Sequence, residues 1–274
     1  MIIINLKGGL GNQMFQYAFG RNLALKKKTS LKLDLTYLMD RTPRKYFQFR
    51  DYELDIFKID AKIVNDDFIQ KNNLPVLKEP HFHFFPKALS LPGDLYLDGY
   101  WQSEKYFIEN ENIIKEDFCF KNKLSEEVKI YAEQILNSNS VCLHVRHGFV
   151  NNRKDRLYHG FVGIKYINKA INLINSTIEN PEYFIFSDNH DWCSDNIKTD
   201  FPIHHVEKEI ELENKDYFQL MTLCKHYIIS NSSFSWWGAW LCRNPGKIVI
   251  APKRWFRFSM NNTKDLLPDN WIKI

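Results

Sequence analysis

The chain has 274 residues, of which 44% are hydrophobic and 26% charged, so it is long enough to bury one large core or two smaller ones. Its few glycines and prolines exclude a collagen-like or low-complexity chain, and a net charge of +4 is too weak to indicate nucleic-acid binding. Every apolar run is shorter than the ~18 residues of a membrane span. The amino-terminal MIIINLKGG predicts a strand and not a signal peptide. We therefore expect a cytoplasmic protein, or one peripheral on the inner face of a membrane.

Short apolar strands alternate with amphipathic helices, which is the pattern of an α/β fold. In the first half, the sequence predicts strands over residues 2–6, 31–35 and 95–100, and a helix over residues 13–28. A further helix is expected to start near Ser103, and residues 41–92 are predicted to be irregular. In the second half, helices are predicted over residues 125–138, 165–177, 216–225 and 234–242. Strands are predicted over residues 141–145, 183–186, 227–230 and 247–251. The predicted domain boundary lies between Lys121 and Asn139.

The cysteines argue against disulfides and against zinc. Their number is odd and none forms a C-x-x-C pair, so we expect reduced, mostly buried thiols. They are Cys119, Cys142, Cys193, Cys224 and Cys242.

Polar residues follow five of the predicted strands, where ligands bind in open α/β sheets. These segments are Gly8–Gln13, His144–Gly148, Ser187–Asp188, Ser230–Ser233 and Ala251–Arg254. Their recurrence at strand ends predicts a ligand crevice.

The first segment, GGLGNQ, joins a strand to a helix. Glycine permits positive φ angles and a close approach of the backbone to a ligand, and a helix amino terminus suits a phosphate. The segment fails the dinucleotide fingerprint, because the position that needs a small residue is Met14, and it has no Gly-Lys-Ser/Thr of a P-loop. A ligand-binding loop and a plain tight turn both remain open.

His144 and Arg146 lie two residues apart on one predicted strand and therefore share a face, while Val141, Leu143 and Val145 take the other face into the core. Arginine suits bidentate recognition of phosphate. We favour a phosphate partner over the alternative, a structural salt bridge.

Asp188 and the Asn231–Ser233 segment each have two interpretations. The carboxylate of Asp188 can accept two N–H donors of a guanine edge, but a helix cap in the Ser187–Asn189 turn is the simpler interpretation. The Asn231–Ser233 segment at a helix start predicts a phosphate site, or an ordinary serine cap. The adjacent tryptophans are expected in the core.

Four segments together carry a family resemblance. They read GGLGNQMFQY from Gly8, DGYWQSEKYF from Asp98, FSD from Phe186 and NSSFSWWGAW from Asn231. On these segments, and over nearly its whole length, the chain resembles the bacterial α-1,2-fucosyltransferases of glycosyltransferase family 11.

The resemblance implies a fold of the GT-B type, α/β, with two Rossmann-like domains facing a central cleft. The expected domains are an acceptor-side domain over 1–125 and a GDP-fucose-binding domain over 126–274. The implied reaction is an inverting, metal-independent transfer of L-fucose from GDP-β-L-fucose to O2 of a galactose-containing glycan. No cofactor or metal is expected. A lipid-linked O-antigen repeat, with peripheral membrane contact, is the acceptor that the family suggests.

The resemblance also assigns roles to residues. Arg146 is expected to hold the diphosphate, Asp188 to meet the guanine, and Asn12 to lie near the reacting sugar. The residues expected to serve catalysis are Arg146, His144 and Asn12. Those expected to bind the donor are Gly9, Gly11, Asp188, Asn231, Ser232, Ser233, Phe234 and Ser235.

One segment departs from the family pattern. Where the family reads His-x-Arg-Arg-Gly-Asp-Tyr, this chain places His147 at the second arginine and Phe149 at the acidic residue. The general base is not identified by sequence, and the candidates are His144, His147, His159 and Asp155. Two alternatives stay open: a related enzyme that uses another nucleotide sugar, and a catalytically weak GDP-sugar-binding protein.

Overall fold

The chain forms two compact units. The computed structural model describes residues 1–43, 49–148, 159–206, 214–257 and 261–274. The first unit is Met1–Asn122 with Met260–Pro268, and the second is Lys123–Ser259 with Asp269–Ile274. Sequence analysis placed the whole carboxy-terminal segment in the second domain. Only Met260–Pro268 of that segment belongs to the first unit, where the Asp265 carbonyl accepts from Ser103 Oγ and its carboxylate from Lys105 Nζ, both at 2.6 Å.

The first unit is a parallel sheet with helices. Its strands are β1 (Ile2–Asn5), β2 (Leu31–Asp34), β3 (Lys62–Val64), β4 (Val76–Lys78) and β5 (Leu95–Asp98). They lie in the order β3-β2-β1-β5-β4, with every pair parallel. Its helices are α1 (Leu10–Lys26), α2 (Thr36–Met39), α3 (Asp66–Asn72) and α4 (Glu111–Asp117). The central strand β1 has its three isoleucines fully buried, which explains its continuous apolar run.

The turn after β5 is held by a half-buried carboxylate. Glu79 accepts the N–H groups of Tyr100, at 2.8 Å, and of Trp101, at 2.9 Å. These bonds hold Trp101 at a φ of +55°, which is uncommon for a residue with a side chain. Residue 99 is a glycine because a Cβ there would lie 2.4 Å from Cβ of Glu79. The glycine of the DGYW segment is therefore a packing requirement.

We expect Gly99→Ala to lower the free energy of unfolding by about 1–3 kcal/mol, because the added methyl group displaces Glu79 from the turn. Gly246→Ala is the matched control, since a Cβ there meets only Asn244 Oδ1 at 3.8 Å. Urea unfolding of both variants measures the difference. Equal stability of the two variants would contradict this packing account.

The described strands of the second unit form one parallel sheet of six. They are β6 (Asn139–Val145), β7 (Pro181–Ser187), β8 (Ile203–His205), β9 (His226–Ile228), β10 (Val249–Ala251) and β11 (Ile272–Lys273). The order is β11-β10-β9-β6-β7-β8. Numbered from one to six within the unit and read from the β8 edge, this order is 3-2-1-4-5-6. It is the Rossmann order, whose direction reverses between β6 and β9. The α/β class with two Rossmann-like units is confirmed.

The helices of the second unit are α5 (Glu126–Asn137), α6 (Gly163–Asn175), α7 (His190–Asn196), α8 (Asn214–Leu223) and α9 (Ser233–Leu241). The tryptophans of α9 lie in the core as predicted: Trp236 and Trp237 are fully buried, and the ring of Trp236 lies 5.4 Å from that of Trp271. Within the described residues, no helix combines the length and apolarity needed to cross a bilayer. All five cysteines lie in described residues, none of them is in a disulfide, and four are buried.

Two local predictions were wrong. Residues 41–92 are not irregular throughout, since they contain β3, α3 and β4. The first helix begins at Leu10 and not at Gln13, because Gly9 already accepts the N–H groups of Asn12 and Gln13 at 2.9 and 3.1 Å. Gly11 therefore lies in the first turn of α1 and not in the loop before it.

Candidate active site

The carboxyl end of β6 presents a buried histidine. Val141, Leu143 and Val145 face the core, as predicted, while His144 lies on the other face with 7% of its surface exposed. Its Nδ1 lies 2.7 Å from Ser230 Oγ, which follows β9. This bond ties the ends of β6 and β9 together on either side of the point where the strand order reverses.

Arg146 and Asp188 form an ion pair at the ends of β6 and β7. The guanidinium Nη1 of Arg146 lies 2.8 Å from Asp188 Oδ2. Asp188 also accepts the N–H groups of His147, at 2.7 Å, and of Gly148, at 2.9 Å. The salt bridge that the sequence left as an alternative is thus present. Both oxygens of Asp188 have protein donors, so its carboxylate shapes the loop after β6, and its contact with guanine stays a prediction.

The amino terminus of α9 lies beside His144. Ser232 is the helix cap, and its Oγ accepts the N–H of Phe234 at 3.3 Å. Ser235 Oγ donates to the Ser232 carbonyl at 3.3 Å, and the ring of Phe234 lies 6.1 Å from that of His144. The structure therefore brings His144, Ser232, Phe234 and Ser235 together, with Ser233 in the same helical turn.

Asn231 points away from this turn. Its Nδ2 donates to three main-chain carbonyls, those of His159, Gly160 and Trp255, at 2.9, 3.2 and 3.0 Å. Its side chain fastens two loops to the end of β9.

The glycine loop belongs to the first unit. Gly8 has a φ of +75°, and a Cβ there would lie 2.5 Å from Nδ2 of Asn12, so glycine is required. Asn12 Oδ1 accepts from Gln102 Nε2 at 2.6 Å, which joins the GGLGNQ and DGYWQS segments. Gly9 begins α1 as its cap residue.

Two residues beside this loop were missed by sequence analysis. Gln13 Nε2 donates to the carbonyls of Gly8 and Asp51, each at 2.8 Å, and its Oε1 accepts the N–H of Glu53 at 3.0 Å. The carboxylate of Glu53 accepts the N–H of Leu10, and burial raises its pKa above the usual range. The GNQ sequence signalled the Gln13 contacts only through the resemblance, and nothing local signalled Glu53.

Comparison with known proteins decides the family. A family model described as glycosyl transferase family 11 matches residues 1–274. The chain belongs to glycosyl transferase family 11. An alpha-1,2-colitosyltransferase of Escherichia coli is 33% identical over 100% of this chain and 99% of its own length. The O-antigen biosynthesis glycosyltransferase WbnK of Escherichia coli is 32% identical over 98% and 99%.

More distant relatives agree. Galactoside alpha-(1,2)-fucosyltransferase 2 of Hylobates lar is 24% identical over 88% of this chain and 69% of its own length. The crystal structure of POFUT1 in complex with GDP has a TM-score of 0.51 at 11% identity, covering 91% of this chain and 97% of that chain, which supports the fold. This family 11 chain is therefore a nucleotide-sugar glycosyltransferase.

In this family 11 enzyme, His147, which replaces the second arginine of the family pattern, packs against aromatic rings. Its ring lies 5.2 Å from that of Trp192 and 5.1 Å from that of Phe161, and its Nδ1 lies 3.1 Å from Asn189 Nδ2. Phe149, and Asp155 among the base candidates, lie outside the described residues.

His144 is poorly suited to act as the general base. Burial, with the nearby charge of Arg146, lowers the pKa of His144 to about 3. At neutral pH its imidazole is uncharged and weakly basic. We expect it to orient the end of β6 through Ser230 and to take little part in proton transfer.

The same pKa shift predicts acid sensitivity of the fold. Because the folded-state pKa of His144 is depressed, the unfolded chain binds the extra proton between pH 6.5 and pH 3, and stability falls as pH falls through that range. Urea unfolding between pH 7 and 4.5 should show wild type losing up to about 1.4 kcal/mol more per pH unit than His144→Asn. His204→Gln, at a half-exposed histidine, is the control. Parallel profiles for wild type and His144→Asn would refute the assignment.

Proposed function

We propose that this family 11 enzyme transfers L-fucose from GDP-β-L-fucose to O2 of a galactose residue in an acceptor glycan, with inversion at the anomeric carbon. One observation carries the proposal. Arg146 and the amino terminus of α9 lie at the ends of β6 and β9, on the two sides of the strand-order reversal where α/β sheets bind ligands. The names of the relatives, which include α-1,2-fucosyl and α-1,2-colitosyl transferases, support the donor class and the linkage.

The chemistry at this end of the sheet concerns the leaving group. Departure of GDP places negative charge on its β-phosphate. The guanidinium of Arg146 and the positive dipole end of α9 are suited to stabilise that charge without a metal. The ion pair with Asp188 fixes the position of Arg146 before the donor binds, which lowers the cost of ordering it.

We assign the general base to Glu53. An acceptor hydroxyl must lose its proton as the bond to fucose forms. Glu53 lies at the glycine loop, with Oε2 3.5 Å from the position that a Cβ of Gly9 would take. Its raised pKa brings it closer to neutral pH than an ordinary carboxylate. Asn12, fixed by Gln102, lies in the same loop and is suited to orient a sugar hydroxyl.

A nucleotide-activated colitose is the second candidate donor, favoured by the 33% identity to the colitosyltransferase. Colitose is fucose without its 3-hydroxyl, so a donor site that hydrogen-bonds this hydroxyl should discriminate strongly between the two sugars.

The test incubates the purified protein with EDTA, lactose and either GDP-fucose or the colitose donor, followed by NMR of the product. An α-1,2-fucosyl product supports the proposal, including independence from metal. Faster transfer of colitose than of fucose would make the colitose nucleotide, and not GDP-fucose, the donor. Absence of any product, with GDP binding intact, favours a GDP-sugar-binding protein of weak activity.

A further inference from the structure

The second unit contains a pocket to which the proposed function has so far assigned no group. It lies at the carboxyl ends of β9, β10 and β11 and has a volume of about 310 Å³. Small-molecule sites begin at about this size, roughly 300 Å³. The lining residues are His159, Gly160, Phe161, Val162, Tyr166, Asn231, Pro252, Arg254, Phe256, Arg257 and Ile274.

The side chains of this pocket favour an anion. Arg254 and Arg257 both line it, and none of the lining residues that the structure describes is an aspartate or glutamate. Guanidinium groups are suited to bidentate contacts with phosphate oxygens. A neutral glycan gives no reason for two arginines at one small pocket.

Asn231 adds a second, independent feature. It is 3% exposed, and its Nδ2 is committed to three carbonyls. These carbonyls fix the orientation of the amide, because the flipped form would set its oxygen against all three. Its Oδ1 is buried and has no hydrogen-bond partner among the residues that the structure describes. An acceptor of this kind is stabilised by a hydroxyl donor.

The remaining walls suit a sugar ring. Phe161 and Phe256 supply apolar surface, and the ring of His159 lies 5.7 Å from that of Phe256. Tyr166 is already engaged, since its hydroxyl lies 2.7 Å from the Ile229 carbonyl and 3.0 Å from that of Ile250. The aromatic side chains therefore form a fixed frame around the arginines and Asn231.

We propose that this pocket is a subsite for a phosphorylated sugar. Its phosphate contacts Arg254 and Arg257, a sugar hydroxyl donates to Asn231 Oδ1, and the phenylalanine rings cover the sugar face. The proposal rests on the transferase function above. That function offers two sources of such a group: the ribose diphosphate of the donor nucleotide, and a sugar diphosphate that links the acceptor to a lipid carrier.

The experiment compares Arg254→Ala/Arg257→Ala with Lys198→Ala/Arg243→Ala, which removes two exposed charges of the same unit elsewhere. Calorimetry at 150 mM salt measures Kd for three probes: GDP, a galactoside linked to farnesyl diphosphate, and the same galactoside without phosphate. Thermal melting checks that both variants fold. We expect the pocket variant to bind one phosphorylated probe at least 10-fold more weakly than the control variant does.

The probe that weakens identifies the source. Weaker GDP binding assigns the pocket to the donor, and weaker binding of the diphosphate-linked galactoside assigns it to the acceptor. Unchanged Kd values for both phosphorylated probes overturn the proposal. Transfer to the phosphate-free galactoside is measured in parallel: its presence in wild type upholds the transferase function even when the pocket fails the test, and its absence counts against that function separately.

Discussion

Arg146→Ala should lower kcat/KM for transfer by about 10²–10³, and should also weaken GDP binding. The loss corresponds to the removal of one charged donor from a leaving group that develops negative charge, about 2.7–4 kcal/mol. The guanidinium of Arg146 lies 2.8 Å from Asp188 at the end of β6. No second arginine follows it to take over its role, because His147 stands at that family position. Steady-state kinetics with GDP-fucose and calorimetry with GDP measure the two effects.

Two further variants separate charge from geometry. Arg146→Lys keeps the charge but loses the planar fork, so we expect only partial recovery of the rate. Asp188→Asn keeps one acceptor for the N–H groups of His147 and Gly148 and removes the counter-charge, so the rate should fall by less than in Arg146→Ala. A wild-type rate and wild-type GDP affinity in Arg146→Ala would remove this residue from the donor site.

The central strands were predictable and the edge strands were not. β1, β6 and β7 are covered on both faces, and their apolar runs predict buried strands directly. β3, β4 and β8 have the sequences KIV, VLK and IHH, with half-exposed or exposed residues throughout. An edge strand of three residues needs no apolar run. Pairing with the neighbouring strand determines its conformation, and its own sequence does not reveal it.

The site shows the same division. The positive φ of Gly8 and the cap at Ser232 follow from local backbone requirements, and local sequence predicted both kinds of feature. The bond from Gln102 to Asn12 joins residues 90 positions apart, and it exists only because β1 and β5 are neighbours in the sheet. Asp188 illustrates the limit most clearly. Sequence offered guanine or a helix cap; in the fold Asn189 caps α7, and Asp188 contacts Arg146 and two main-chain N–H groups, while its contact with guanine stays a prediction.

Glu53→Gln should lower kcat by about 10²–10⁴ while leaving the Kd for GDP unchanged, because it removes the proposed proton acceptor and nothing that contacts the nucleotide. The substitution conserves volume and keeps an oxygen to accept the N–H of Leu10, so the loop should keep its shape. Asp55→Asn is the matched control, an exposed acid two residues away that should retain the wild-type rate.

The pH profile separates a base from a structural residue at this position. Because the folded-state pKa of Glu53 is raised, a growing fraction of the carboxyl is protonated and inactive as pH falls toward that pKa, and kcat/KM of wild type should decline on the acid side. Glu53→Gln has no such group, so its residual activity should be flat over the same range. A residual profile that keeps the wild-type acid limb would show that another group accepts the proton. A wild-type kcat in Glu53→Gln would exclude Glu53 altogether and leave Arg146-assisted departure of GDP as the dominant barrier-lowering step.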